Sequence, residues 1–168
     1  KPTPMASAAL SAVVAPVLDT CWSARRGGGA RRSHARTAGA QAADASTASR
    51  PVQVGSTSEL SQALLGTGFG YTAERRAEQA RVLTRVLPRV RDIRRLGSAA
   101  VDLCLVADGR LDLFYEEGLN PWDVAAGWLI ATEAGAQVHG PDGGAPDSKL
   151  TLAGNRLLVP DLEQLLAH

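Results

Sequence analysis

The chain has 168 residues, of which 45% are hydrophobic and 4% are aromatic, and its formal net charge is +1. This length and composition indicate one domain of ordinary size, with a core of Ala, Val and Leu arranged in α/β layers. No apolar run approaches the ~18 residues that a membrane-spanning helix needs, so we expect no membrane partner. Residues 5–15 imitate a secretory signal, but they run into Pro16 and a strand-like continuation. Because Cys21 and Cys104 form neither a metal motif nor a disulfide framework, we expect a cytoplasmic protein.

Basic residues are concentrated at the start of the chain. The first fifty residues carry two acids, Asp19 and Asp44, and seven basic residues: Lys1, Arg25, Arg26, Arg31, Arg32, Arg36 and Arg50. A basic segment can bind nucleic acid, but these arginines lie among Gly, Ala and Ser without the interleaved aromatic residues that stack on bases. We therefore expect a solvated or disordered segment and no nucleic-acid partner.

The first part of the chain predicts a hairpin followed by a flexible insertion. Residues 12–24 predict two short strands joined by a loop, and RRGGGARR at 25–32 predicts a turn that needs glycine's freedom at positive φ. Residues 33–50 contain almost no large apolar residue and cannot bury enough surface to become ordered. The predicted units are therefore residual central strands at 1–32, a flexible insertion at 33–50 and a C-terminal α/β domain at 51–168.

From residue 51 onward, the pattern predicts strands that alternate with helices. PVQV at 51–54 and ALLGTGF at 63–69 predict short strands, and STSE at 56–59 has the form of a helix start. The amphipathic pattern that follows predicts a helix, which Pro88 ends or kinks. Its apolar face is predicted to comprise Ala73, Ala77, Ala80, Leu83 and Leu87.

The last part of the chain predicts two further helices and two strands. Residues 91–95 predict an extended piece, and Ser98 then caps a nearly apolar helix over Ala99–Ala107 that we expect to be buried on most sides. LDLFYEE at 111–117 alternates polar and apolar residues as a half-buried strand does. The helix DVAAGWLIATEAG ends at Gly135, and AQVHG predicts a returning strand.

Asp123 lies at the start of that final helix. Asn120 is a favoured N-cap and Pro121 a favoured first helical residue, so the Asp123 carboxylate falls in the first turn beside free N–H groups. A capping acid is one interpretation of this pattern. The other is a site residue, because Glu116 ends the preceding strand and carboxylates at such a sheet edge suit a divalent cation such as Mg²⁺.

Residues 97–136 resemble the C-terminal part of the inositol monophosphatase family. The family's second signature is a Trp-Asp pair followed by small residues, which matches WDVAAG from Trp122 onward. The similarity continues upstream through GTGFGY and RVRDIRRLGSAA to the hairpin PVLDTCWSARRGGGA. The resemblance implies the C-terminal portion of the α/β/α/β/α sugar-phosphatase fold, shared by inositol monophosphatase and fructose-1,6-bisphosphatase, with a mixed sheet flanked by helices.

The resemblance also implies an activity and a set of site residues. The expected enzyme is a Mg²⁺-dependent phosphomonoesterase that hydrolyses inositol phosphate, or a related sugar or polyol phosphate, with a metal-activated water. Asp123 matches a metal-ligating aspartate, and Glu116 matches the acid that hydrogen-bonds substrate hydroxyls. Ser98 and Ala99 match the pair beside the substrate ring. The expected cofactor is Mg²⁺, the expected partner is a small-molecule phosphate ester, and a homodimer is common in the family.

One departure from the family pattern limits this assignment. The family's other metal ligands lie in an upstream Glu-Glu stretch and an Asp-Pro-Ile-Asp-Gly-Thr-like loop, and neither segment occurs in this sequence. We therefore assign no certain catalytic residue and expect a truncated chain that is inactive alone. The alternatives are a non-catalytic α/β domain that serves in dimerisation or partner binding and, within the family, a histidinol-phosphate or nucleotide-phosphate phosphatase. A histidine-based site is not expected, because His34, His139 and His168 are scattered.

Overall fold

The computed structural model describes residues 9–35 and 49–167. Most of the predicted flexible insertion, like His168 and the beginning of the signal-like stretch, lies outside the described residues. Within them, nine strands form two separate sheets, and four α-helices pack against the sheets. No helix in the described ranges is long and apolar enough to cross a membrane.

The first sheet is antiparallel, with strand order β1-β2-β3-β4. Its strands are β1 (Leu10–Ala15), β2 (Thr20–Arg25), β3 (Gly29–Ser33) and β4 (Arg50–Pro51). The predicted hairpin is present as β1 and β2, but the turn predicted at 25–32 is shorter than expected. Gly27 and Gly29 have φ values of 71° and 77°, and the chain then continues as β3, because Ala30 pairs with Ala24 and is buried.

The second sheet is mixed, with strand order β6-β5-β7-β9-β8. Its strands are β5 (Leu64–Thr67), β6 (Asp92–Arg94), β7 (Leu113–Glu116), β8 (Gln137–His139) and β9 (Thr151–Gly154). β5 runs parallel to β6 and β7, whereas β9 runs antiparallel to β7 and β8. The carboxyl ends of β5, β6 and β7 therefore meet at one edge of the sheet.

The helices are α1 (Ala73–Val86), α2 (Ala99–Ala107), α3 (Pro121–Glu133) and α4 (Val159–Leu166). α2 and α3 pack against each other between the two sheets, where Trp22 of β2, Leu103 of α2 and Ile130 of α3 share one core. α1 and α4 cover the other face of the second sheet, where Val86 and Leu162 belong to a second core. The described residues thus form four successive layers: sheet, helix pair, sheet, helix pair.

Gly127 explains how closely α2 and α3 approach. A Cβ at this position would lie 2.7 Å from the Cβ of Leu103 and 3.3 Å from the backbone oxygen of Ala100. A larger residue would therefore push the helices apart. The close contact buries α2 on most sides, as its apolar sequence predicts, and Leu103, Cys104 and Val106 are fully buried.

The structure shows that α1 packs with a different face from the predicted one. Its buried residues are Gln79 and Val86, and Val82 packs against the second core beside them. These positions follow helical spacing, and their longer side chains reach the sheet better than alanine does. Leu83 is half-buried, and the rest of the predicted face is exposed: Ala73, Ala77, Ala80 and Leu87.

The segment around STSE at 56–59 does not begin an α-helix, because tertiary hydrogen bonds hold it extended. The Val54 N–H donates to the Ala134 carbonyl at 3.1 Å, and Asn155 Nδ2 donates to the Thr57 carbonyl at 2.8 Å. A single 3₁₀ turn follows at Leu60–Gln62. Of PVQV, only the first residue lies in a strand.

Two further expectations about strands are corrected by the structure. β7 is not half-buried: Phe114 has 0% exposure, because helices cover both faces of the second sheet. Ser33 and Arg50, at the two ends of the predicted insertion, belong to β3 and β4. β9 and α4 were not predicted at all.

Candidate active site

A cavity of about 610 Å³ opens where β5, β6 and β7 end and where α2 and α3 begin. The carboxyl ends of parallel strands are the usual place for a ligand site in an α/β sheet. All four site residues expected from the sequence line this one cavity: Ser98, Ala99, Glu116 and Asp123. The fold therefore brings together residues from two connections, the one between β6 and α2 and the one between β7 and α3.

Asp123 lies in the first turn of α3, where the sequence places it. Its Oδ2 accepts a hydrogen bond of 2.9 Å from the backbone N–H of Asn120, as the acid of a capping box does. This bond uses one oxygen of the carboxylate and leaves the other for a different partner. Capping and ligand binding are therefore compatible at Asp123.

The described residues do not form a complete metal site. Among them there is no group of three or more His, Cys, Asp or Glu side chains that could hold a metal ion. Asp123 is nevertheless a suitable donor, because Mg²⁺ takes one or two carboxylates together with waters and substrate phosphate. The fit of Mg²⁺ to this cavity is therefore partial, with one protein ligand.

Glu116 fills a space that a glycine leaves open. A Cβ on Gly68 would lie 2.1 Å from the Glu116 carboxyl carbon, so the two side chains could not coexist without a shift. Burial raises the pKa of Glu116. The positive charges of Arg95 and Arg75 oppose this rise, whereas the negative charge of Asp123 adds to it. An ionised carboxylate at this place offers only acceptors, which suits substrate hydroxyl groups.

Ser98 and Ala99 form the start of α2 at the cavity wall. Ser98 Oγ accepts a hydrogen bond of 3.4 Å from the Val101 N–H, which caps the helix as predicted. Ala99 is buried. The first N–H groups of a helix lack partners within the helix and attract anions, so this end of α2 suits a phosphate ester.

Two arginines of the cavity were missed by the sequence analysis. Arg75 of α1 and Arg95, which precedes α2, both line it. Gly70 and Gly118 make room for Arg75, because Cβ atoms there would lie 2.3 Å from its Cδ and 2.5 Å from its Nη2. A basic residue in the first turn of a helix opposes the helix dipole, and this was the signal available at Arg75. Guanidinium groups bind phosphate oxygens well.

Asp102 of α2 is a third residue that was not predicted from the sequence. Its exposure is 0%, and neither carboxyl oxygen has a hydrogen-bond partner among the described residues. Burial raises the pKa of Asp102 to about 7; Glu116 adds to the rise and Arg95 opposes it. A single acid within an apolar helix was the available signal, since an unpaired buried carboxylate is costly.

Known proteins of one family match this chain. A family model described as the inositol monophosphatase family matches residues 6–168. Inositol-1-monophosphatase SuhB of Mycobacterium tuberculosis is 65% identical over 80 residues, which are 48% of this chain and 28% of that protein. The structure of Mycobacterium tuberculosis SuhB matches with a TM-score of 0.78 and 41% identity, covering 93% of this chain and 57% of the other.

A second relative, SaIMPase-II of Staphylococcus aureus, has been solved with two ligands. Its structure with inositol monophosphate matches with a TM-score of 0.69 and 25% identity, covering 91% of this chain and 55% of the other. A second structure of the same protein contains 2'AMP. The ligands of this relative are thus phosphate monoesters.

The layers are those of the α/β sugar-phosphatase fold, as the match to the SuhB structure shows. The chain belongs to the inositol monophosphatase family. Both the resemblance noted in the sequence and the predicted fold are therefore confirmed. The chain spans little more than half the length of the solved structures named above, 57% for SuhB and 55% for SaIMPase-II.

Proposed function

We propose that this chain carries the substrate-binding wall of a phosphomonoesterase of inositol monophosphatase type. The substrate is inositol phosphate or a related sugar or polyol phosphate. One observation carries the proposal: Ser98, Ala99, Glu116 and Asp123 converge on a single cavity of about 610 Å³, which two arginines also line. The inositol monophosphate bound to SaIMPase-II supports this class of substrate.

Each wall residue has a chemical role in the proposal. Glu116 accepts hydrogen bonds from substrate hydroxyls and so orients the ring. Arg75 and Arg95 supply positive charge for the phosphate ester. Asp123 provides one ligand for Mg²⁺, which when bound supplies an activated water and offsets the charge that develops on the phosphoryl group.

We further propose that this chain, which spans little more than half the length of the solved structures, does not turn over substrate by itself. A single carboxylate holds Mg²⁺ weakly, because this ion gives up its hydration reluctantly. The same observation favours a second candidate, a non-catalytic α/β domain that serves in dimerisation or partner binding. Exposed apolar side chains on β1 and the turn after it favour this candidate too: Leu10, Val14 and Val17 are 74%, 50% and 99% exposed.

Phosphate release tests the proposal directly. The chain and the product of its full gene are incubated with inositol 1-phosphate, with and without Mg²⁺. We expect metal-stimulated release from the full product and none from the chain. Calorimetric titration of Mg²⁺ into the chain should show only weak binding, in the millimolar range. Absence of metal-stimulated release from the full product would contradict the proposed function, and micromolar Mg²⁺ binding by the chain would contradict its inactivity.

A substrate panel separates the activities within the family. Histidinol phosphate and 2'AMP are compared with inositol 1-phosphate under the same conditions. We expect the highest kcat/KM for the hydroxyl-rich ring, because Glu116 accepts hydrogen bonds from hydroxyl groups. A preference for 2'AMP would instead indicate a nucleotide phosphatase.

The free, buried thiols of Cys21 and Cys104 accord with a cytoplasmic location for the enzyme.

A further inference from the structure

Two carboxyl groups contact the chain segment that ends β5. A Cβ on Gly66 would lie 3.5 Å from Asp102 Oδ1, and a Cβ on Gly68 would lie 2.1 Å from the Glu116 carboxyl carbon. Gly66 lies in β5, and Gly68 follows the last residue of that strand. Asp102 of α2 and Glu116 of β7 therefore contact glycines only two residues apart along the chain, and the Glu116 charge acts on Asp102.

The two groups differ in what surrounds them. Asp102 has 0% exposure and no hydrogen-bond partner among the described residues, whereas Glu116 is half-buried, lines the cavity and interacts with Arg95 and Arg75. Neighbouring carboxyl groups rarely both ionise, and the more deeply buried one keeps the proton. The proton therefore belongs on Asp102 and the negative charge on Glu116.

We propose that Asp102 is a positioning residue, a buried neutral acid that allows Glu116 to carry a negative charge facing the substrate hydroxyls. This inference rests on the proposed role of Glu116 in holding substrate hydroxyls. The group that Asp102 positions is the one that touches the substrate, and Asp102 itself does not. When Asp102 loses its proton to solvent, two adjacent negative charges repel, and Glu116 is displaced toward the cavity.

The charged groups that act on Asp102 come from two directions. Glu116 on β7 disfavours its ionised form, and Arg95, in the segment between β6 and α2, favours it. β5 contributes Gly66 to the surroundings of Asp102. The state of Asp102 is thus set by burial and by one acid and one arginine.

Titration of the metal-free chain, labelled with ¹³C at the aspartate carboxyl carbons, tests the pair. The signal of Asp102 is the one that disappears in Asp102→Asn. We expect this signal to titrate with a midpoint near 7, as its burial indicates. In Glu116→Gln the midpoint should fall by one unit or more, because the like charge is removed. In the matched control Glu117→Gln, which removes the exposed acid next along the chain, the midpoint should not change.

Several results would overturn the proposal. One is a titration midpoint of Asp102 below 5. Another is a midpoint that does not change in Glu116→Gln, and a third is a midpoint that changes by the same amount in Glu117→Gln as in Glu116→Gln. In the active gene product, KM for inositol 1-phosphate should rise as Asp102 ionises, and Asp102→Asn should remove this pH dependence while kcat follows the same profile as before. A KM profile that is the same in both proteins contradicts the positioning role. Because the titration needs no turnover, absence of phosphatase activity would contradict the proposed function and leave the carboxyl pair established.

Discussion

Asp108→Asn should destabilise the protein, because Asp108 ties α2 to the first sheet. The Asp108 side chain is only 2% exposed. It contacts Arg32 Nη1 of β3 at 3.0 Å, Arg50 Nη2 of β4 at 3.3 Å and Arg110 Nε at 3.2 Å. Asp108 caps the C-terminus of α2, where a negative charge opposes the helix dipole, so the three guanidinium groups are what make the acid favourable there.

The magnitude follows from how exposed each partner is. Arg50 and Arg110 are 62% and 50% exposed, so their pairs contribute little. Arg32 is 19% exposed, and a buried hydrogen bond between charged groups contributes about 1.5–3 kcal/mol. Asparagine keeps the shape and one acceptor but loses the charge. We therefore expect a loss of about 2 kcal/mol, which lowers Tm by about 4–8 °C in a chain of this size.

Thermal unfolding followed by circular dichroism measures this change. The matched control is Asp92→Asn, which removes an exposed pair with Arg94 whose side chains are 52% and 50% exposed. We expect no measurable shift of Tm in the control. If Asp108→Asn shifts Tm no further than the control does, the argument that burial decides the strength of these ion pairs is refuted.

Three further substitutions test other parts of the structure. Gly127→Ala should lower the free energy of unfolding by about 1–3 kcal/mol, because the new Cβ meets Leu103. Urea titration measures this change as a lower midpoint, and an unchanged midpoint would contradict the close helix contact. Glu133 accepts hydrogen bonds from the N–H groups of Gly27 and Gly29 at 2.8 and 2.9 Å, and these lower its pKa. The stability that Glu133 contributes is thus fully present above its unfolded pKa and is lost as pH falls through its folded pKa. Glu133→Gln should therefore lower the free energy of unfolding at pH 7 and much less at pH 3, as measured by urea titration. Equal losses at the two pH values would contradict this. Gly68→Ala should displace Glu116 and so raise KM for inositol 1-phosphate about tenfold, with little change in Tm. An unchanged KM would count against the proposed role of Glu116.

The starts of α2 and α3 were predictable from the sequence because their signals are local. Ser98 caps α2, and Asp123 bonds the Asn120 N–H at the start of α3, within three residues in each case. The buried face of α1 was not predictable, because alanines and valines both repeat at helical spacing around it. Only the position of the second sheet decides that Val82 and Val86 point inward.

Long-range contacts account for most of the remaining errors in the fold. The segment around Thr57 has a helix-start pattern, yet Asn155, far along the chain, holds it extended. β9 is only four residues, and its sequence TLAG gives no alternation that would mark a central strand. Such elements are fixed by partners that a local pattern does not contain.

The candidate site divides in the same way. Ser98, Ala99, Glu116 and Asp123 were found through a motif that spans adjacent elements. Arg75 was missed because it comes from α1, and only the folded chain brings it to the cavity.

In the proposed function Asp123 has two uses, as a helix cap and as a ligand for the cation. Capping occupies Oδ2 through the Asn120 N–H, and this bond fixes the carboxylate against the helix start before any ligand arrives. A carboxylate that the fold already holds in place loses less conformational freedom when it binds a cation. The capping bond should therefore favour metal binding instead of competing with it. The same logic applies to Glu116, whose carboxyl group packs against Gly68. Both acids are therefore oriented by the fold of this chain, and what the proposed activity still requires is further ligands for the cation.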